Sequence, residues 1–226
     1  MSRLAIFFLV IVTLGLAILL ALLGIATMAS NLLGWFMLLT GLVYFFGIAI
    51  VYWLCRIRFW DPKSDGKIVG EEVSDRSFWL IAVGMIAAFY VPPLEYLVFP
   101  AVLPRSIWMQ VTGLLIVSWG SILFIWARRA LGRFYSGHIS IIEGQQLVQH
   151  GPYRLIRHPA YAGYLLIASG ITIGYSSIAG LLVVAFVLIP SVIFRISVED
   201  RLLAEQFGEP FQNYARHTNR LFPGIW

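Results

Sequence analysis

Residues 4–29 read Leu4-AIFFLVIVTLGLAILLALLGIATM-Ala29, 26 consecutive positions without an acidic or basic side chain. A helix crosses the roughly 30 Å hydrocarbon core of a bilayer with about 20 mostly apolar residues, so this stretch alone places the chain in a membrane. It is longer than the roughly 7–15 apolar residues of a secretion signal, and no small-residue cleavage site follows it cleanly, so it counts as a span. Working outward, five further apolar runs follow: Leu33–Leu54, Phe78–Phe99, Ile107–Ala127, Ala160–Ile173 and Ile178–Phe194. The last two are short and joined only by Gly174, Tyr175, Ser176 and Ser177. They predict a tight helical hairpin, tilted or crossing only in part. The expected fold is an all-α polytopic bundle of about six spans.

Composition agrees. Of 226 residues, 60% are hydrophobic and 12% charged, against roughly 25% charged in a soluble domain. The single cysteine, Cys55, excludes an intramolecular disulfide. A pI near 9.6 would suit nucleic acid, but the basic residues stand beside apolar spans, where membrane topology explains them and no nucleic-acid partner is expected.

The loops set the orientation. Ser30–Asn31, the stretch around Arg105, and Tyr175–Ser177 are nearly free of charge. The opposite side carries Arg3; Arg56, Arg58, Lys63, Lys67 and Arg76; Arg128, Arg129, Arg133, Arg154 and Arg157; and Arg195, Arg201, Arg216 and Arg220. That is 15 of the 16 lysines and arginines. The positive-inside rule then puts both termini in the cytoplasm, and the compact, short-looped chain fits a bacterial inner membrane. Residues 1–127 read as four plain spans; residues 128–226 concentrate the polar and functional residue types. Gly170-x-x-x-Gly174 reads as a close-packing face. The aromatic residues, eight Trp among them, suit interfacial belts.

Soluble cofactor motifs and zinc-spaced Cys/His clusters are absent, so no metal is expected. One constellation stands out. Its first part runs from Gln145 to Gly163 and includes Gly151-Pro152 and Arg157-His158-Pro159. Proline suits the first helical position, which sets Arg157 and His158 at the N-terminus of the fifth span. They are either anchors for lipid phosphates or part of an anion site built on free helix amides. The second part, Arg195-Ile196-Ser197-Val198-Glu199-Asp200-Arg201, places Arg195 and Glu199 on one helix face. An ordinary helix-end ion pair would look the same, but ionisable residues continuing directly from an apolar span read as functional by default. Glu95, after Pro92-Pro93, reads as an interfacial residue rather than a catalytic acid; His138, His150 and His217 read as loop or surface histidines.

At these segments the sequence resembles the isoprenylcysteine carboxyl methyltransferase family, which also includes related phospholipid methyltransferases. The resemblance rests on Leu147-Val148-x-x-Gly151-Pro152-Tyr153, Arg157-His158-Pro159-x-Tyr161-x-Gly163 and Arg195-Ile196-x-x-Glu199-Asp200, then Phe207-Gly208, Tyr214 and Pro223. It covers about the last 90 residues. The resemblance implies methyl transfer from S-adenosylmethionine in a cytoplasmic pocket to a lipophilic or prenylated acceptor arriving from the membrane lipid. By that resemblance Gln145, Gln146, Leu147, Val148, Tyr153, Arg157, His158, Pro159, Ala160, Tyr161 and Glu199 would line the cofactor pocket, with His138 aligning less securely. Arg195 and Glu199 would be the catalytic pair, Arg195 orienting the acceptor. Gln145 stands where prenylcysteine enzymes often carry histidine, and no acceptor-binding region is recognisable.

The chemistry suits these roles. In-line methyl transfer draws much of its rate from alignment. A carboxylate acceptor is nucleophilic at pH 7 without a base, and a guanidinium holds it bidentately. An amine acceptor would need to lose a proton, and no strong base stands out. Phospholipid amine and thiol acceptors remain alternatives. So does an NADPH-dependent sterol or lipid reductase, which shares Arg-His-Pro-x-Tyr-x-Gly but tends to carry an acidic residue where Tyr164 stands. A non-enzymatic scaffold whose basic face binds anionic lipid is the third reading.

Overall fold

The computed structural model describes residues 3–56, 77–135 and 144–224, and among them every regular element is a helix. They are α1 (Arg3–Thr27), α2 (Leu33–Arg56), α3 (Ser77–Val98), α4 (Ile107–Leu131), α5 (Pro159–Gly174), α6 (Ile178–Phe207) and α7 (Glu209–His217). Among the described residues, four helical stretches are long and apolar enough to cross a membrane: Val10–Thr27, Trp79–Val98, Ile107–Leu131 and Ile178–Phe207. The described apolar part of α2, Leu33–Gly47, and the helix Pro159–Gly174 are shorter. The chain is an all-α polytopic membrane protein, and α1 to α6 match the six expected runs closely at their N-terminal ends.

The last hairpin differs from its sequence reading. Helix α5 is indeed short, 16 residues or about 24 Å, but ten of those residues are buried against other helices, so protein rather than lipid surrounds much of it. Helix α6 is not short: it is 30 residues long, about 45 Å, and outruns the bilayer core. The charges from Arg195 onward end the apolar run but not the helix, because Arg, Glu, Leu, Ala and Gln are good helix formers. It stops at Gly208, whose φ of +57° favours glycine. A wider π turn, Val184–Leu188, ends two residues before Pro190. It eases the helix past a residue that cannot donate to the Phe186 carbonyl and would crowd it.

Small residues set the helix spacing. A Cβ added at Gly170 would lie 2.7 Å from the Gly113 carbonyl oxygen and the Val117 nitrogen, and one at Gly163 would lie 2.9 Å from the Gly120 oxygen. Helices α4 and α5 therefore touch backbone to backbone along Gly113, Gly120, Gly163 and Gly170. Gly24, Gly34 and Gly41 do the same for α1 and α2. In lipid, where apolar burial gives helices little mutual attraction, such close approach is what holds them.

The end away from most of the charge is bolted by polar contacts. Buried Tyr175 shares a 2.9 Å hydrogen bond with Thr27, Asn31 donates to the Gly174 carbonyl at 3.0 Å, and the Leu32 amide donates to Gln110 at 3.1 Å. Glu95, near the C-terminal end of α3, has a structural role at this end of the bundle. Its carboxylate accepts from the Ile178 and Ala179 amides at 3.2 and 3.1 Å and from the Ser177 hydroxyl. It thus caps α6, satisfying amides that have no partner within their own helix and complementing the helix dipole.

Candidate active site

At the charged end, two helices meet over a loop. Pro159 occupies the first turn of α5, and His158 just before it makes no side-chain cap bond. Its ring turns instead to α6, where Asp200 Oδ1 lies 2.7 Å from Nε2 and Glu199 Oε2 lies 3.8 Å from Nδ1. Tyr161 stacks on that ring. Its hydroxyl accepts from Arg195 Nε at 2.8 Å and donates to Glu199 Oε2 at 2.8 Å. Arg195 and Glu199 are therefore linked through one tyrosine oxygen.

Asp200 is the residue the sequence reading gave no role. Arg220 Nε donates to its Oδ2 at 2.9 Å, and Arg157 Nη2 stands 3.6 Å from the same oxygen. It lies six residues beyond Phe194, past the apolar part of α6. Burial pushes its carboxyl up, but the hydrogen bond and charge of His158, the hydrogen bond of Arg220 and the charge of Arg157 outweigh that and hold it below the ordinary carboxylate range. Arg195 is 4% exposed and Asp200 8%, and charges so buried persist only when paired.

Arg157 proves to be a clamp on the C-terminal segment. It donates to the Ala215 carbonyl at 2.8 Å and to the Thr218 carbonyl, and its own amide donates to Asn219 at 2.8 Å. The His158 amide donates to the Arg220 carbonyl at 2.9 Å, and an isolated parallel bridge pairs Ile156 with Asn219. Arg157 Nε is buried without a hydrogen-bond partner. Tyr214, on α7, donates to the Tyr153 carbonyl at 2.6 Å, and burial pushes its hydroxyl up to about 12. Burial and the nearby Glu199 carboxylate also raise Tyr153.

Tyr153, Arg157, His158, Tyr161, Arg195, Glu199 and Tyr214 line a cavity of about 620 Å³, with Asp200 and Arg220 behind its wall; its volume is within the usual range for small-molecule sites of roughly 300–1,000 Å³. Of the residues expected there, Gln145, Gln146, Leu147, Val148, Tyr153, Arg157, His158, Ala160, Tyr161, Arg195 and Glu199 all line it. Pro159 is buried at the start of α5 and shapes the turn; His138 lies outside the described residues. His150 and His217 are exposed. Sequence reasoning missed the other half of the cavity, an apolar arm walled by Thr13, Leu16, Ala17 and Leu20 on α1 and by Ile81 to Tyr90 on α3.

The sequence model of the phospholipid methyltransferase family matches residues 108–210, from α4 into α7. A probable protein-S-isoprenylcysteine O-methyltransferase of Oryza sativa subsp. indica is 33% identical over 136 residues, 58% of this chain and 69% of the relative. Protein-S-isoprenylcysteine O-methyltransferase A of Arabidopsis thaliana is 30% identical over 136 residues, 59% and 68%. The cobalt-zinc-cadmium resistance protein CzcN of Cupriavidus metallidurans is 39% identical over 98 residues, 42% and 44%. A polytopic helical fold with such relatives defines a membrane methyltransferase. The chain belongs to the isoprenylcysteine O-methyltransferase family.

Proposed function

We propose that the protein transfers a methyl group from S-adenosylmethionine to the carboxylate of a lipophilic, isoprenylcysteine-like acceptor, with the charged mouth of the cavity facing the cytoplasm. The observation that carries this reading is the shape of the cavity. It joins a charged end, where Arg195, Tyr161 and Glu199 are linked, to an apolar arm between α1 and α3. On this reading residues 128–226 supply the cofactor end and residues 1–127 the arm.

The residues present fit the cofactor. Glu199 offsets its positive charge, and the rings of Tyr153, Tyr161 and Tyr214 suit a sulfonium or an adenine. The buried, unpartnered Nε–H of Arg157 suits its carboxylate. When bound, the cofactor supplies an electrophilic methyl group on a sulfonium. The protein's part is alignment: the Arg195 guanidinium, its Nε fixed by Tyr161, holds the acceptor carboxylate, and the apolar arm fixes the tail. Holding both reactants in line supplies the rate, and no general base is needed.

The test is methyl-ester formation from S-adenosylmethionine and N-acetyl-S-farnesylcysteine by the detergent-solubilised protein. Arg195→Ala should lose turnover at least a hundredfold while still binding the cofactor. Methylation of an amine or thiol acceptor but no carboxylate would refute the reading.

A further inference from the structure

The arm has a floor. No residue of α1 beyond Leu20 and none of α3 beyond Tyr90 lines the cavity. At that depth Leu20, Phe89 and Tyr90 join a packed cluster with Leu33, Met37, Val117, Ile171 and Tyr175. Tyr90 also reaches across: rooted on α3, its hydroxyl donates to the Leu16 carbonyl of α1 at 2.6 Å, so its side chain bars the space between the two helices that wall the arm. We propose that Tyr90 sets the longest acceptor chain the enzyme methylates, an inference that rests on the carboxyl-methyltransferase reading above.

Helix register gives the depth. A Cβ at Gly84 would meet Leu188, and Glu95 caps Ile178 and Ala179, which fixes how antiparallel α3 and α6 run past each other. Tyr90 stands level with Leu182, thirteen residues or about 20 Å along the helix from Arg195. An extended farnesylcysteine is about that long. One more isoprene unit would have to fold back or displace a tyrosine held by its hydrogen bond.

The selection acts by exclusion. A tail entering from lipid leaves surroundings as apolar as the arm, so added length gains little. Overfilling a packed site carries a penalty worth about tenfold or more.

The experiment compares kcat/KM for geranyl, farnesyl and geranylgeranyl derivatives of N-acetylcysteine, and reads ratios within each variant so that the amount of folded enzyme cancels. Wild type should favour farnesyl over geranylgeranyl by about tenfold. Tyr90→Ala should bring that ratio to within about twofold, while Tyr90→Phe, which keeps the ring, should preserve the preference. Ala17→Leu fills the arm from the opposite wall and should lower the farnesyl-to-geranyl ratio about tenfold. If Tyr90→Ala does not fold, Ala17→Leu decides. Turnover with wild-type ratios in the variants overturns the proposal alone. No methylation of any prenylcysteine by wild type overturns it together with the functional reading.

Discussion

Replacing Asp200 with alanine removes the group on which the charged end converges. Its two carboxylate oxygens take the His158 ring at 2.7 Å and Arg220 Nε at 2.9 Å, with Arg157 3.6 Å away. Charge-assisted hydrogen bonds contribute about 1.5–3 kcal/mol each, and breaking a buried ion pair on one side costs about 3–5 kcal/mol because the partner stays buried and uncompensated. Both routes give about 4 kcal/mol, or roughly a 10 °C fall in Tm for a chain of this size. Asp200→Asn keeps the shape and one acceptor oxygen and should lose about half as much. The assays are thermal unfolding in detergent and limited proteolysis. Arg220 and the segment clamped by Arg157 are anchored through Asp200, so cleavage after residue 207 should accelerate before the helices unfold. A Tm within about 1 °C of wild type, with an equally resistant C-terminus, would refute this account of Asp200.

Acid should act through the same carboxyl. Its folded pKa lies below the unfolded one, so its stabilisation is present above about pH 4 and is lost as pH falls through the folded value; Asp200→Asn should flatten that part of a Tm-against-pH curve. Gly170→Ala should destabilise by about 1–3 kcal/mol through its contact with α4, whereas Gly15→Ala, which meets nothing within 4 Å, should leave Tm unchanged. Glu95→Ala uncaps α6 and should cost about 1–2 kcal/mol without altering the Kd for S-adenosylmethionine.

The helices were legible because a bilayer leaves few alternatives: long charge-free runs must be spans. The polar end of the cavity was legible too, since Arg157, His158, Arg195 and Glu199, which line it, are conspicuous beside apolar sequence. The apolar arm was not. Leu16, Ala17, Leu20 and Ile86 line a cavity, yet lipid-facing positions of the same helices hold the same residue types, because both surroundings are apolar. Asp200 sits next to Glu199 in sequence but about 100° around the helix, toward Arg220 and the C-terminal segment, and that partnership across twenty residues left no local signal. The length of α6 was hidden because Arg195 ends its hydropathy and not its backbone pattern.

The most direct test of the central claim is calorimetry of the detergent-solubilised protein with S-adenosylmethionine and, separately, with NADPH. The geometry predicts binding of the first and not the second, with Glu199→Ala weakening the S-adenosylmethionine affinity by at least tenfold and Arg195→Ala leaving it within about threefold, the span of a single lost charge-assisted contact against none. Binding of NADPH without S-adenosylmethionine, or wild-type S-adenosylmethionine affinity in Glu199→Ala, would contradict it.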